Sequence, residues 1–172
     1  MVQIIRLKKK GRLSMVIIFL GSNSDLDFAK SIERFLTNFG VIYKLHIASA
    51  HKTPEYLLTL IRRYEMLDKP IVYICVAGRS NALGGFVDAQ TSHPVINCPP
   101  QSDKFAGMDI LSSLRMPSGI APLTVLDTEP AALAAIKILA NSDKKLKQKI
   151  LSYQKELKEK VIKNDQELNK KR

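Results

Sequence analysis

The chain has 172 residues, 45% of them apolar, which suits one compact domain, and no apolar run reaches the roughly 20 residues that a membrane-spanning helix needs. Its net charge of +11 lies at the two ends, because residues 1–14 carry five basic residues and no acidic one, and residues 143–172 carry eleven basic and five acidic residues. The body between them is neutral, so the composition argues against disorder, against a membrane span and against a nucleic-acid partner, which would need basic residues on the folded body.

The chain opens with a basic segment, an apolar run and a polar turn. Residues 1–14 are not interpreted as a secretory signal, because they lack its apolar stretch and its cleavage site. Residues 15–20 (MVIIFL) predict a buried parallel strand. The turn GSNSD then leads into an amphipathic helix, with Ser24 or Asp25 as its candidate cap and Gly40 at its end.

The next segments continue the alternation of strand and helix. Residues 41–47 predict a second strand, after which Thr53 suits a helix N-cap and Pro54 suits the first helical position. Residues 71–77 (IVYICVA) predict a third buried strand. The small-residue loop GRSNALGG follows it and leads into a short helix.

The last part of the body predicts two more strands and two more helices. Strands are predicted over residues 95–98 and 123–126, and the long polar loop PPQSDKFAGMD follows the first of them. Helices are predicted over residues 109–116 and 129–140. These elements complete a single folded body that spans residues 15–142.

Residues 143–172 predict a long, charged C-terminal helix with one apolar stripe. A helix of this kind needs a surface that covers the stripe, either on its own domain or on another chain, and a frayed tail is the remaining alternative. The stripe repeats at three- and four-residue spacing and comprises Leu146, Ile150, Tyr153, Leu157 and Val161.

Polar loops follow each of the first four predicted strands. Strands that alternate with helices predict a mainly parallel sheet with helices on both faces. In such sheets, ligands bind outside the carboxyl ends of the strands, where the loops GSNSD, SAHKTP and AGRSN and the loop PPQSDKFAGMD would meet. The sequence therefore predicts a binding site at this edge of the sheet.

The turn GSNSD has the features of a phosphate or sugar site. The first turn of a helix offers unpaired backbone N–H groups to a phosphate, and Ser22 and Ser24 add hydroxyl groups. Asp25 would repel an adjacent phosphate but could accept hydrogen bonds from sugar hydroxyls. A simple capped turn is the alternative, because the turn is neither a Walker loop nor GxGxxG.

The loop SAHKTP brings an imidazole and an ammonium group to the same edge. His51 could take and give a proton near neutral pH, and Lys52 could pair with a phosphate or a carboxylate. From spacing alone, a chemical role for His51 and a plain polar loop are about equally supported. His46 lies in a strand and His93 precedes Pro94, so both are interpreted as structural.

The loop AGRSNALGG is small enough for its backbone to approach a ligand closely. Ser80 and Asn81 offer it a hydroxyl and an amide group. No nucleophile triad, metal cluster or paired-carboxylate arrangement is evident in the sequence. Cys75 and Cys98 lie in apolar runs and are interpreted as free thiols, which predicts a reducing compartment, the cytoplasm.

Taken together, five motifs resemble the PurE family of aminoimidazole ribonucleotide carboxylases and mutases of purine biosynthesis. They are GSNSD, SAHKTP, AGRSNALGG, PVINCPP and SSLRMPSGI, and they occur in the family's order and at about its spacing over residues 15–140. The resemblance implies a flavodoxin-like three-layer α/β/α sandwich with a parallel sheet, which agrees with the pattern of elements. Residues 1–14 have no counterpart in the family core, so the resemblance implies that they are a basic N-terminal extension and that Met15 is the start of the fold.

Two loops resemble those of the family's carboxylases more than those of its mutases. Class I mutases resemble one another in an AHRTP loop and in a second histidine in a loop like AGGAAHLPG. Here Lys52 replaces the arginine, and residues 78–85 contain no histidine. This pattern is similar to class II, which adds CO2 directly to carbon four of aminoimidazole ribonucleotide. A class I mutase and, more distantly, a non-catalytic nucleotide-binding module are the alternatives.

Matched by motif, the resemblance implies a role for each candidate residue. His51 would be the acid and base, in a carbon–carbon lyase that uses no metal, biotin or other cofactor. The expected partners are aminoimidazole ribonucleotide and CO2, together with seven further copies of the chain in a homo-octamer, or three in a tetramer. The candidate substrate-binding residues are Ser22, Asp25, Ser49, Lys52, Gly78, Arg79, Ser80 and Asn81.

Overall fold

The computed structural model describes residues 13–170, so all but the last two residues of the predicted N-terminal extension lie outside the described part. The strands are β1 (Met15–Leu20), β2 (Ile42–Ile47), β3 (Ile71–Val76), β4 (Val95–Asn97) and β5 (Leu123–Thr124). The helices are α1 (Leu26–Phe39), α2 (Pro54–Glu65), α3 (Ala82–Asp88), α4 (Leu111–Leu114), α5 (Thr128–Leu139) and α6 (Lys144–Lys170). Short 3-10 segments precede α1 and α4, at Asn23–Asp25 and Lys104–Ile110.

The five strands form one parallel sheet in the order β2-β1-β3-β4-β5. This is the flavodoxin-like strand order, so the predicted fold class is confirmed. The order reverses at β1, which pairs with β2 on one side and with β3 on the other. In such sheets the crevice beside the reversal, at the carboxyl ends of the strands, is where ligands bind.

The central strands are buried on both faces, which explains why their sequences are continuous apolar runs. In β1, Val16 and Ile18 pack into a core layer shared with α1, α5 and α6, and Ile17 and Phe19 pack into a layer shared with α2 and α3. Every residue of β1 and β3 is buried. In contrast, β2 lies at the sheet edge and is half exposed.

The helix α1 is capped differently from the prediction. Asp25 stands at its N-cap but makes no capping hydrogen bond to the helix with its side chain. Instead, Ser22 Oγ accepts from the Ser24 N–H at 3.2 Å, and the Asp25 carboxylate accepts from the Ser22 N–H at 2.9 Å. These two bonds close the 3-10 turn that precedes α1, and the predicted stop at Gly40 is observed with φ of 68°.

Two elements near the end of the body are shorter than predicted. The helix predicted over residues 109–116 is reduced to α4, because the chain up to Ile110 forms a 3-10 segment and the backbone is extended at Arg115, with φ of −120° and ψ of 109°. The strand predicted over residues 123–126 pairs with β4 only at Leu123–Thr124. Both elements lie beside the edge of the sheet, where fewer neighbours enforce regular structure.

The helix α6 is attached to the body by its first third only. Leu146 and Ile150 are buried, and the Tyr153 ring packs edge-on against Phe35 and Phe39. Residues 155–170 are all exposed, and at about 1.5 Å per residue they extend about 24 Å along the helix axis. Among residues 13–170 no helix combines the length and the apolar character that crossing a membrane requires.

Candidate active site

A cavity of about 750 Å³ opens at the carboxyl ends of β1, β2, β3 and β4. A larger groove, of about 1340 Å³, lies at the opposite edge, where the strands begin, but it contains none of the predicted site residues. The smaller cavity occupies the position that parallel sheets use for ligands. Its polar lining residues are Ser22, Ser24, Asp25, Ser49, His51, Lys52, Arg79, Ser80, Gln101, Ser102, Asp103 and Lys104.

Ser22 and Asp25 reach the cavity from the turn after β1. The amide groups of Ser22, Ser24 and Asp25 already have acceptors inside this turn, as does that of Leu26. Ser22 Oγ also lies 2.5 Å from Ser24 Oγ. These four amides are therefore engaged within the turn, and a phosphate bound here would contact the two hydroxyl groups, while a role for backbone amides stays a prediction.

Asp25 contributes the carboxylate that lines the cavity beside β1. Burial raises the pKa of Asp25, and the hydrogen bonds from Ser22 and the positive charge of Arg79 oppose that rise. A half-buried carboxylate with these neighbours can accept hydrogen bonds from the hydroxyl groups of a ligand. The predicted function of Asp25 as an acceptor for sugar hydroxyls is compatible with this geometry.

A tight turn after β2 presents His51 and Lys52. The Thr53 N–H donates to Ser49 O at 2.9 Å, and Thr53 Oγ1 accepts from the Ser49 N–H at 2.9 Å. Ser49 Oγ accepts from the Lys52 N–H at 3.2 Å, which leaves its own proton for another acceptor. Thr53 therefore closes the turn instead of capping α2 with its side chain, although it occupies the predicted N-cap position. His51 and Lys52 are exposed and line the cavity.

In the loop after β3, three of the four predicted contacts line the cavity and the fourth does not. Gly78, Arg79 and Ser80 line the cavity. Asn81 does not line it, because its side chain is buried and donates from Nδ2 to Ser113 Oγ at 2.9 Å. A direct contact between Asn81 and a substrate stays a prediction, and the contacts observed are those of a residue that fixes the loop.

Sequence reasoning missed several residues that line the site. Gln101, Ser102, Asp103 and Lys104 come from the loop after β4, whereas the hydroxyl group of Ser24 was recognised in the turn GSNSD. That loop was recognised as polar and convergent, but nothing in its composition distinguished one residue from another. Among residues 13–170, no group of three or more histidine, cysteine or acidic side chains is arranged to hold a metal ion.

The other two histidines and the two cysteines lie away from the cavity. His46 Nε2 lies 2.6 Å from the Tyr64 hydroxyl, and His93 Nε2 lies 3.8 Å from Glu65. These contacts agree with the structural roles predicted for both histidines. Cys75 and Cys98 are buried free thiols, and burial raises the pKa of each.

Comparison with known proteins gives a consistent family. A family model described as AIR carboxylase matches residues 15–160. Phosphoribosylaminoimidazole carboxylase from Archaeoglobus fulgidus is 51% identical over 153 residues, which cover 89% of this chain and 84% of the relative. The enzyme of the same name from Treponema denticola is 50% identical over 139 residues, which cover 81% of this chain and 87% of the relative. A crystal structure of Treponema denticola PurE superposes with a TM-score of 0.88 at 48% identity, and the match covers 90% of this chain and 98% of that one.

Proposed function

The chain belongs to the AIR carboxylase family, and we propose that it joins CO2 directly to carbon four of aminoimidazole ribonucleotide. The family membership confirms the resemblance to PurE proteins. The observation that carries the proposed reaction is that one cavity collects His51, Lys52, Asp25 and Arg79 at the carboxyl edge of the sheet. These residues supply a proton acceptor, two cations and a carboxylate to a phosphorylated, hydroxylated substrate.

The substrate needs little chemical activation by the protein. The amino group of aminoimidazole pushes electron density onto ring carbon four, which attacks the carbon of CO2 and forms the new carbon–carbon bond. The adduct carries the carboxylate and the original hydrogen on one tetrahedral carbon. His51 takes that proton, and the electron pair of the broken C–H bond restores the aromatic ring. Proton transfer to a positioned side chain is typically worth about 10²–10⁴ in rate.

The remaining residues of the cavity bind and orient the substrate. The hydroxyl groups of Ser22 and Ser24 suit a phosphate, and the carboxylate of Asp25 suits the ribose hydroxyls. Lys52 and Arg79 are the nearby cations that could balance the phosphate or the new carboxylate. Holding the two reactants together in a small cavity would supply much of the rest of the rate.

Replacement of His51 by asparagine tests the chemical step. Because His51 is exposed, the variant should keep the fold and should bind the ribonucleotide with unchanged affinity by calorimetry. Its turnover should fall by about 10²–10⁴, and bound aminoimidazole ribonucleotide should no longer exchange its carbon-four proton with solvent. His93→Asn, remote from the cavity, is the matched control. Near-normal turnover by His51→Asn would remove His51 from the mechanism.

The choice of carboxylase over mutase rests on Lys52 and on the loop that contains Ser80 and Asn81. One assay supplies aminoimidazole ribonucleotide with bicarbonate and carbonic anhydrase, and a second supplies the N-carboxylated isomer. A carboxylase should turn over the first substrate at low CO2 and make little use of the second. Fast conversion of the isomer, with carboxylation only at very high bicarbonate, would assign the chain to the mutases.

The proposed reaction runs without metal or biotin, because the substrate itself is the activated nucleophile. Carboxylation should therefore be unchanged after dialysis against a chelator and after incubation with avidin. A loss of activity that added metal restores would contradict this part of the proposal. The buried thiols Cys75 and Cys98 support a reducing compartment, and fractionation of cells should recover the protein with cytoplasmic markers.

The proposed assembly is a homo-octamer, with a tetramer as the smaller alternative. It is supported by the projecting part of α6, where Leu157, Val161 and Leu168 are 46%, 69% and 56% exposed. These side chains continue the stripe that begins at buried Leu146, so a second chain could cover them. Light scattering should give an octamer for the full chain, and a chain that ends at Gln154 should form smaller species. A monomer at assay concentration would refute the proposal.

A further inference from the structure

We propose that Ser112 is a positioning residue, which holds the loop at Arg79 in the conformation that the reaction uses. Arg79 has a φ of 57°, in the left-handed region that residues other than glycine rarely adopt. Such a conformation persists only where surrounding contacts enforce it, and it is concentrated at functional sites. The inference rests on the proposed function, because it assigns Arg79 a role in binding the substrate.

The Ser112 hydroxyl bonds the loop on both sides of residue 80. Ser112 Oγ donates to Arg79 O at 2.8 Å and accepts from the Asn81 N–H at 3.0 Å. These two bonds fix the peptide groups that flank Ser80. Ser112 is 33 residues from Arg79 in sequence, so the contact depends on how α4 packs against the loop.

One proton on Ser112 Oγ has two possible acceptors. Asp109 O lies 2.7 Å from Ser112 Oγ, and Arg79 O lies 2.8 Å from it. A hydroxyl group donates one hydrogen bond at full strength, so the two carbonyl groups compete for it. The N–H of Asn81 donates to the same oxygen and keeps the hydroxyl group close to the loop in either case.

A second serine anchors the loop by a different route. Asn81 is 3% exposed and Ser113 is 2% exposed, and Asn81 Nδ2 donates to Ser113 Oγ at 2.9 Å. Ser113 O in turn accepts from Thr124 Oγ1 at 2.8 Å, which ties this anchor to β5. The Ser113 bond holds the Asn81 side chain, and only the Ser112 bond reaches the strained residue itself.

The backbone conformation of Arg79 determines where the side chains of Arg79 and Ser80 lie in the cavity. Arg79 and Ser80 line the cavity that also contains His51 and Asp25. If φ of Arg79 returned to a negative value, the Arg79 and Ser80 side chains would leave their present positions at the rim. Ser112 does not line the cavity, so its effect on substrate must pass through these two residues.

Replacement of Ser112 by alanine gives a structural test that does not depend on substrate. A crystal structure of Ser112→Ala should show Arg79 outside the left-handed region, and Ser112→Thr, which keeps the hydroxyl group, should preserve it. An Arg79 that stays left-handed in Ser112→Ala overturns the inference, whatever reaction the protein catalyses. If Ser112→Ala does not fold, the near-isosteric Ser112→Cys, with its weaker donor, takes its place.

A kinetic cycle separates positioning from a general loss of stability. In the natural background Ser112→Ala should lower kcat/KM about tenfold, mainly through KM, as expected for one lost hydrogen bond. Ser112→Thr, which keeps the hydroxyl group, should stay within about twofold of the natural enzyme. In an Arg79→Gly background, Ser112→Ala should change kcat/KM by less than about twofold, because glycine adopts this conformation without strain. An equal loss in both backgrounds overturns the inference, and absence of carboxylation by the natural chain would instead refute the proposed function.

Discussion

The contact between Gly84 and Asn97 gives a stability prediction with a defined geometry. Gly84 is buried in α3, and a Cβ atom added to it would lie 1.6 Å from Asn97 Oδ1 and 2.6 Å from Asn97 Cγ. Asn97 is fully buried on β4 and cannot swing into solvent. Gly84→Ala should therefore destabilise the fold, although alanine is the better helix former.

The expected size of the effect follows from two opposing contributions. Overpacking of a core costs about 1–3 kcal/mol, and an overlap this deep belongs at the upper end of that range. Replacing glycine by alanine inside a helix recovers about 1 kcal/mol. The net loss should be about 2 kcal/mol, which is roughly a 30-fold shift toward the unfolded state.

Asn97→Ala provides the second arm of a double-mutant cycle. Neither Asn97 Oδ1 nor Asn97 Nδ2 has a hydrogen-bond partner among residues 13–170, so removing this amide should cost less than about 1 kcal/mol. In the double variant the clash is absent, and Gly84→Ala should become neutral or slightly stabilising. The coupling between the two sites should therefore be about 2 kcal/mol.

Urea unfolding of the four proteins at one fixed protein concentration measures this cycle, because assembly makes the apparent stability depend on concentration. The midpoint should fall for Gly84→Ala alone and should recover in the double variant. A Gly84→Ala midpoint equal to that of the natural chain would refute the geometry. A double variant as unstable as Gly84→Ala would show that α3 clashes with something other than Asn97.

Three further outcomes follow from the described contacts. Burial lowers the pKa of His46, so the unfolded state binds more protons than the folded state. Stability should therefore be lost as pH falls below about 6.5, the ordinary pKa of histidine. A His46→Asn variant whose unfolding midpoint keeps the same pH dependence would contradict this. Ser22→Asp should raise KM sharply by placing charge beside the phosphate, whereas Ser22→Asn keeps the turn's cap without charge; equal KM values for the two would exclude a phosphate here. Tyr153→Ala should cost about 2 kcal/mol in urea unfolding by removing two ring contacts, with Phe35 and Phe39, and Tyr153→Phe should be nearly silent; a Tyr153→Ala midpoint equal to that of the natural chain would show that this part of α6 is frayed.

The sequence alone was sufficient for the architecture and for the edge of the sheet at which the predicted site residues meet. The runs over 15–20 and 71–77 are continuous and apolar, and this pattern is local and arises only where both faces of a strand are covered. Alternation with helices implies parallel strands, and parallel strands bring their polar loops to one edge. Ser22, His51 and Arg79 were therefore predicted to meet before any distance was known, and they line one cavity.

Only the tertiary structure decided which polar side chains face the cavity and which hold the loops. Asn81 is a polar residue in a loop at the cavity, as many ligand contacts are, yet its side chain is buried against Ser113, 32 residues away in sequence. No local feature of the sequence distinguishes Ser112 from its neighbours, yet its hydroxyl group donates to the carbonyl oxygen of Arg79, whose φ is positive. Local sequence patterns determine burial and secondary-structure propensity. The hydrogen-bond partner of a polar atom, in contrast, depends on which distant segment packs beside it. That partner is set by the docking of α4 against the loop after β3, which no short stretch of this sequence specifies.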